Sequence, residues 1–259
     1  MTHTGGGRGR ERSRGWLTST HTLPDVTAET IRIRWGLGDF AWAWPAVIMS
    51  QVVFSGAIVA VRGTDDFHKV DAVDIALVTA GSAIATLGIL AAIAACKGRG
   101  TLVTDFGLRL RFGDWPWLAA GILLAVVANG GVRVIEWVAG TEQTQEVADA
   151  LVRSGTAGKV FGALAVVIAA PLAEELLFRG LLLRALLRRF GAVLAVLGSG
   201  AVFALVHLLD PATITLLAPL ALVGVVSGIR AVRSGELSQS ILLHSGFNLL
   251  SAVYLLGGL

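Results

Sequence analysis

Three ionisable residues interrupt an apolar stretch of this chain, in the segment "APLAEELLFRG" at 170–180. Glu175 and Arg179 are four residues apart, the spacing at which two side chains on one helical face form an ion pair. Consecutive helical residues point about 100° apart, so Arg179 cannot readily satisfy Glu174 as well. We therefore predict a Glu175–Arg179 pair that braces the helix and a Glu174 carboxylate whose partners lie on other helices.

Polar side chains that could meet Glu174 occur in two later apolar segments. His207 ends "FALVH" at 203–207, and His244 and Asn248 lie one turn apart in "HSGFN" at 244–248. A desolvated carboxylate has a raised pKa and can act as a general base toward water, and N–H donors stabilise the resulting oxyanion. Unmatched polar groups are costly in hydrocarbon, so we predict that these residues converge where something is bound or made.

The same residue types are compatible with a second chemistry. Two histidines and one carboxylate can hold zinc and leave a position open for activated water, here through Glu174, His207 and His244. The spacing alone does not separate this option from a metal-free one. Other protease signatures are weaker: HExxH is absent, Asp39 in "GLGD" lacks a Tyr-Asp partner, and Ser227 in "GVVSG" misses the rhomboid GxSG spacing by one residue.

The elements that position these residues are predicted to be membrane-spanning helices. Hydrophobic residues make up 54% of the 259 residues and charged residues 15%, with a mean hydropathy of +0.74, which excludes an ordinary soluble domain. A bilayer core of about 30 Å needs roughly 20 apolar residues in a helix. We predict an all-α polytopic transmembrane bundle of seven or eight spans with the site inside it. Seven apolar runs approach the required length, at 40–61, 72–96, 115–138, 160–186, 191–209, 212–230 and 238–257.

The distribution of basic residues predicts the topology. Residues 1–39 are predicted to form a flexible basic tail ahead of one transmembrane domain at 40–259. Most basic residues would lie on the side of the tail, which indicates a multi-pass protein of the inner or plasma membrane with a cytoplasmic N-terminus. Because these residues flank apolar runs, we expect a lipid bilayer as partner and no nucleic acid. Tryptophans predicted to anchor span ends are Trp42, Trp44, Trp115, Trp117 and Trp137.

Two further features concern packing and depth. Gly224 and Gly228 form a small-xxx-small step, which predicts close approach of two helices, and Cys96 is expected to carry no chemistry. Glu174 lies near the middle of its run, whereas His207 lies about 10 Å beyond the middle of its own at 1.5 Å per residue. Helix tilt or a misplaced span end is required to bring them together.

The polar motifs resemble those of CPBP intramembrane endopeptidases, a family that includes the type II CAAX prenyl endopeptidases. "EELLFR", "FALVH" and "HSGFN" match EExxxR, FxxxH and HxxxN in the family's order, within a catalytic core at 160–256. The resemblance implies that Glu174 activates the water that hydrolyses a peptide bond in a membrane-associated or CAAX-like substrate. It also implies that His207, His244 and Asn248 bind and polarise the peptide. The family was long described as metalloproteases, but the glutamate-dependent description implies that no cofactor is needed.

The resemblance also bears on the class of protein. By the same resemblance, Glu175 and Arg179 would brace the site. The Arg-, Ala- and Gly-rich composition indicates a bacterial host, and bacteria generally lack prenylated CAAX proteins. The alternative is a non-catalytic membrane protein of the same family, such as a bacteriocin immunity factor or a partner-binding scaffold. A transporter is less favoured, because no pair of inverted halves is evident.

Overall fold

The computed structural model describes residues 33–63, 71–139, 154–209 and 211–257, and every regular element among them is helical. The tail predicted at 1–39 lies outside this range up to residue 32, as does the side chain of Trp137. The all-α prediction is confirmed for the described residues. The α-helices are α1 Leu37–Arg62, α2 Ala72–Lys97, α3 Leu102–Phe106, α4 Pro116–Ala139, α5 Thr156–Leu164, α6 Ala170–Glu175, α7 Leu183–Val206, α8 Leu217–Ser234 and α9 Ser238–Gly257.

Five described helical ranges are long and apolar enough to cross a membrane, at 37–62, 72–97, 112–132, 156–209 and 213–234. The fourth covers 54 residues but includes Gly191, whose φ of 73° and ψ of 174° interrupt the helix with a kink. The kink falls where the sequence predicts a boundary between two spans. The predicted membrane bundle is thus confirmed, and the count of seven spans stays a prediction.

One long helix carries the two adjacent carboxylates. The π-helical segments Ala165–Ala169 and Leu176–Leu182 join α5, α6 and the start of α7, and we call residues 156–190 the composite helix. It is longer than the predicted run at 160–186. The arginines Arg184, Arg188 and Arg189 interrupt the apolar pattern, but the helix continues through them. Glu174 and His207 lie about 17 and about 16 residues from Gly191, or roughly 25 Å each, so the predicted depth mismatch disappears.

Most of the described basic residues gather at one end of the bundle, which we call the basic end. There Lys97 Nζ lies 2.6 Å from Asp39 Oδ1, and the Arg188 guanidinium stacks 4.0 Å from the centre of the Trp35 ring. Asp39 also accepts a hydrogen bond from the Gly36 N–H, so this "GLGD" aspartate serves as a helix cap and ion-pair partner. The basic end comprises residues 34–39, 97–116, 184–191 and 230–239.

Glycines set the closest helix contacts. A Cβ added at Gly224 would lie 3.0 Å from Gly200 Cα, and one at Gly228 would lie 3.3 Å from Val196, so the predicted small-xxx-small contact joins α8 to α7. A second contact was not predicted. A Cβ at Gly121 would overlap the Leu243 carbonyl, and the reciprocal contact involves Gly246, so the backbones of α4 and α9 touch.

We expect Gly121→Ala to destabilise the protein by about 1–3 kcal/mol, the usual cost of overpacking, because the methyl group must displace a backbone carbonyl. The measurement is the thermal unfolding midpoint in detergent. Gly130→Ala on the same helix is the matched control, since a Cβ there meets nothing within 4 Å. Equal unfolding midpoints for the two variants would contradict the close α4–α9 contact.

Candidate active site

The two adjacent carboxylates end α6, between the two π-helical segments of the composite helix. A π-turn widens the helix locally and often marks a functional site. The carboxylates differ in exposure: the Glu175 side chain is fully buried, whereas that of Glu174 is 30% exposed. Water can therefore reach Glu174 more readily than Glu175.

Glu175 binds two partners. Its Oε1 lies 3.1 Å from Arg179 Nη1, so the predicted pair across one helical turn is confirmed. The same oxygen lies 2.9 Å from His244 Nδ1 on α9, a contact that the sequence analysis missed because it assigned Glu175 to Arg179 alone. An ionised carboxylate only accepts hydrogen bonds, so Nδ1 of His244 carries the proton. Glu175 thus fixes both Arg179 and the orientation of the His244 ring.

Arg179 connects the composite helix to two other helices. Its Nη2 donates to the Gly224 carbonyl of α8 at 3.0 Å, and its guanidinium lies 4.4 Å from the centre of the Phe203 ring of α7. Its side chain is fully buried. A buried charge needs a partner of opposite charge, which the Glu175 carboxylate supplies. Among the described residues, Nε and Nη1 of Arg179 have no hydrogen-bond partner, so the ion pair and the Nη2 bond carry its stabilisation.

His244 lies between the two carboxylates. Its Nδ1 binds Glu175, and its Nε2 lies 3.7 Å from Glu174 Oε2. That separation is longer than a direct hydrogen bond. The structure therefore brings His244 to Glu174 as predicted, with its free ring nitrogen on the Glu174 side.

His207 is held by its own helix. Its Nδ1 lies 2.7 Å from the Phe203 carbonyl, which only accepts, so Nδ1 is again the protonated nitrogen. Its ring packs 4.9 Å from Phe203, and the same phenyl ring packs 5.4 Å from His244. Phe203 links the two histidines, and its place four residues before His207 was the signal for this role.

Asn248 lies one turn beyond His244 on α9. Its Nδ2 donates to the Val166 carbonyl in the first π-helical segment at 2.9 Å. The hydrogen bonds of Asn248 and His207 thus go to backbone carbonyls rather than to Glu174. The structure hydrogen-bonds Glu175 to His244, links Arg179 to that pair through Glu175 and places Glu174 3.7 Å from His244. His207 and Asn248 flank this group.

The hydrogen bonds made by Nδ1 of His207 and Nδ1 of His244 limit the chemistry of both rings. Both rings have only Nε2 left for a reacting group. In a neutral ring with a protonated Nδ1, Nε2 accepts hydrogen bonds, and it donates only when the ring is an imidazolium. A role for His207 or His244 as an oxyanion donor therefore requires the cationic ring.

A zinc site of the predicted kind needs three side-chain ligands within reach of one metal ion. In the part of the chain that the structure describes, no three His, Cys, Asp or Glu side chains form a group that could hold a metal ion. The predicted set of Glu174, His207 and His244 is not assembled as a three-ligand site, although each histidine keeps Nε2 for a ligand. The expectation that no cofactor is needed stays a prediction, with zinc held by these three residues as its alternative.

Two other residues singled out in the sequence lie away from Glu174. Ser227 is fully buried on α8, one turn from Gly224, which agrees with a packing role rather than a nucleophile open to substrate. Cys96 is exposed in the last turn of α2, where its sulfur is free.

Comparison with known proteins supports the resemblance seen in the motifs. Residues 156–250 match the family model described as type II CAAX prenyl endopeptidase Rce1-like. The matched segment begins at the composite helix and ends on α9, so it includes every residue of the candidate site. No curated protein and no solved structure matches the chain. The family match indicates CAAX-type protease activity within a membrane.

Proposed function

We propose that this protein, as its match at 156–250 to that endopeptidase family implies, is a glutamate-dependent intramembrane endopeptidase that cleaves a membrane-associated or CAAX-like substrate. One observation carries the proposal: Glu174 is partly exposed beside the fully buried Glu175 and lies 3.7 Å from His244 Nε2. A carboxylate inside a membrane bundle is expensive unless it is paired or functional. Glu175 is paired, and Glu174 is left for chemistry.

Glu174 is the better general base of the two carboxylates for a geometric reason. Oε1 of Glu175 is shared by Arg179 and His244, and the side chain has no exposed surface. Water cannot approach it without breaking that pair. Glu174 is accessible and close to an imidazole, so a water molecule bound to it can also contact the substrate.

The reaction proceeds in two steps. Glu174 takes a proton from water as the water oxygen bonds to the scissile carbonyl carbon, and the carbonyl becomes an oxyanion. The protonated Glu174 then transfers this proton to the leaving nitrogen as the C–N bond breaks. The second amide hydrogen of Asn248, and Nε2 of His244 and His207 when their rings are cationic, are the donors available to the oxyanion.

Glu175 acts as a positioning residue in this scheme. A carboxylate that holds Nδ1 of an imidazole fixes its tautomer and its ring orientation, as in carboxylate–histidine pairs of other hydrolases. Here the hydrogen bond leaves Nε2 of His244 on the side of Glu174. Arg179 in turn supplies the positive charge that permits an ionised Glu175 in the bundle interior.

The topology we infer places the basic end in the cytoplasm of the host, at its inner or plasma membrane. Positive residues are retained on the cytoplasmic side, and Lys97, Arg188 and Arg189 share this end. Arg184 Nη2 donates to the Gly235 carbonyl, so Arg184 lies at the same depth in the membrane as the turn after α8. Glu175 lies about nine residues before Arg184, or roughly 13 Å deeper in the bundle. A peptide substrate would therefore reach the site from the cytoplasmic side.

The test is a search for the substrate. Membrane and secreted proteins are compared between cells that express the parent and cells that express Glu174→Gln. We expect at least one protein to accumulate in its uncleaved form with the variant. If no protein differs although both chains are present at equal levels, the proposed activity is wrong.

A non-catalytic scaffold is the second candidate, and one observation favours it. The contacts of Glu175, Arg179 and His244 tie the composite helix to α8 and α9 without any substrate. In that case the purified protein cleaves no peptide, and Glu174→Gln changes only its thermal stability. The substrate search above separates the two functions.

We expect cleavage to survive exhaustive chelation, because a Glu174-activated water needs no metal. The measurement is cleavage of an identified substrate after dialysis against a strong chelator, together with elemental analysis of the active protein. A zinc-dependent endopeptidase treated in parallel provides the control. Loss of activity that added zinc restores would establish the zinc version of the site.

A further inference from the structure

The loop that leads into α4 exposes apolar side chains between two arginines. Leu110 is 66% exposed, Phe112 is 95% exposed and Trp115 is 61% exposed. Arg109 and Arg111 alternate with the first two, and both are more than half exposed. We call residues 108–115 the interfacial loop. Its alternation of basic and apolar residues is typical of segments that lie at a membrane surface.

The interfacial loop and the glycine before it are held in place by contacts with the turn between α8 and α9 and with the first residues of α9. Arg111 N donates to Ser238 Oγ at 2.9 Å, and Leu237 N donates to the Gly107 carbonyl at 2.9 Å. Asp114 accepts a hydrogen bond from Gln239 Nε2 at 3.0 Å. The exposure of the apolar side chains is therefore built into the fold.

The two arginines share one side of the interfacial loop. Arg111 Nε lies 2.6 Å from Glu236 Oε2, and Arg109 Nη1 lies 3.6 Å from Glu236 Oε1. One carboxylate thus faces two guanidinium groups, and Arg233 lies exposed nearby in the last turn of α8. Asp114 accepts a hydrogen bond from Gln239 and also interacts electrostatically with Arg111. Arg109, Arg111 and Arg233 together outnumber Glu236 and Asp114, so the region keeps a net positive charge.

The interfacial loop also lies where a membrane surface is expected. Phe112 is the first residue of an apolar range long enough to span a membrane, so it stands at the start of that span. Aromatic rings favour the headgroup boundary, and arginines beside it bind lipid phosphates. We propose that the interfacial loop is a binding site for anionic phospholipids, in which Arg109 and Arg111 contact the headgroup phosphate and Phe112 and Trp115 contact the acyl region. This site is separate from the proposed peptidase site.

The test is lipid binding by the full chain in detergent, measured by native mass spectrometry during titration with phosphatidylglycerol or phosphatidylcholine. For the double variant Arg109→Gln/Arg111→Gln, we expect the association constant of the first phosphatidylglycerol to fall at least fivefold. Binding of phosphatidylcholine should change less than twofold. Arg62→Gln, at the opposite end of the bundle, is the control and should bind like the parent.

Glu236→Gln is the second variant, because it keeps both arginines and removes the carboxylate that competes for them. We expect it to raise the association constant for phosphatidylglycerol at least twofold. Inorganic phosphate in place of lipid should not compete, since it lacks the acyl chains that Phe112 and Trp115 contact. If both variants bind phosphatidylglycerol like the parent, or if phosphate competes fully, the anionic-lipid site is wrong.

Discussion

Replacing Glu174 by glutamine is expected to lower kcat for peptide cleavage by about 10²–10⁴-fold, which is the usual contribution of a general base. Glutamine has nearly the same shape but cannot take a proton from water. Because the side chain is partly exposed and its imidazole partner lies 3.7 Å away, the substitution removes no short contact that holds the bundle together. The thermal unfolding midpoint should therefore remain within a few degrees of that of the parent.

The measurement is single-turnover cleavage of an identified peptide substrate by protein in bilayer nanodiscs. Glu174→Asp is the matched variant: it keeps the carboxylate but shortens the side chain by one methylene, so it should retain more activity than the glutamine variant. Full activity of Glu174→Gln would refute the general-base role. An equally inactive Glu174→Gln with a strongly lowered unfolding midpoint would instead assign Glu174 a structural role.

Replacing Arg179 by methionine is expected to have the largest effect on stability, a loss of about 3–5 kcal/mol in the free energy of unfolding. The substitution leaves the fully buried Glu175 without its cation and the Gly224 carbonyl without its donor. A buried carboxylate without its partner costs more than the ion pair gains, because desolvation is no longer offset. The midpoint of denaturant-induced unfolding in detergent is the quantity to measure.

A double variant separates the loss of the pair from the loss of the arginine itself. Glu175→Gln/Arg179→Met removes both charges, so it should recover a substantial part of the stability that Arg179→Met loses. Arg109→Met, which removes a guanidinium that is more than half exposed and lies 3.6 Å from Glu236, should change the midpoint little, because Glu236 keeps Arg111 as its partner. If the double variant is as unstable as the two single losses combined, coupling between Glu175 and Arg179 is not what stabilises this region.

Features that depend on neighbours along the chain could be predicted from the sequence. The Glu175–Arg179 pair follows from a spacing of four residues, and the packing of Gly224 follows from its spacing to Gly228. Both features are fixed by the geometry of a single helix. The length of the composite helix was underestimated for a related reason: hydropathy detects where apolar residues end, and arginines extend a helix beyond that point.

Features that depend on how distant segments dock could not be predicted. His244 binds Glu175 across 69 positions of sequence, and nothing in either segment distinguishes Glu175 from Glu174 as its Nδ1 partner. That choice depends on the rotation of α9 and on its depth against the composite helix. The close approach of Gly121 to Leu243, and of Gly246 to Leu118, fixes α9 against α4, and it has no counterpart in the pattern of hydrophobic residues.

The amino-acid sequence alone predicts a helical membrane bundle that holds six polar residues in motifs resembling those of an endopeptidase family. Burial in lipid makes each such residue costly unless it has a partner or a function. The packing of the helices divides these six residues into a buried, paired set and an accessible carboxylate. It buries Glu175 between Arg179 and His244 and leaves Glu174 partly exposed. The reason is physical: hydropathy and spacing fix which face of a helix is polar, but only packing against other helices decides which carboxylate is desolvated and paired.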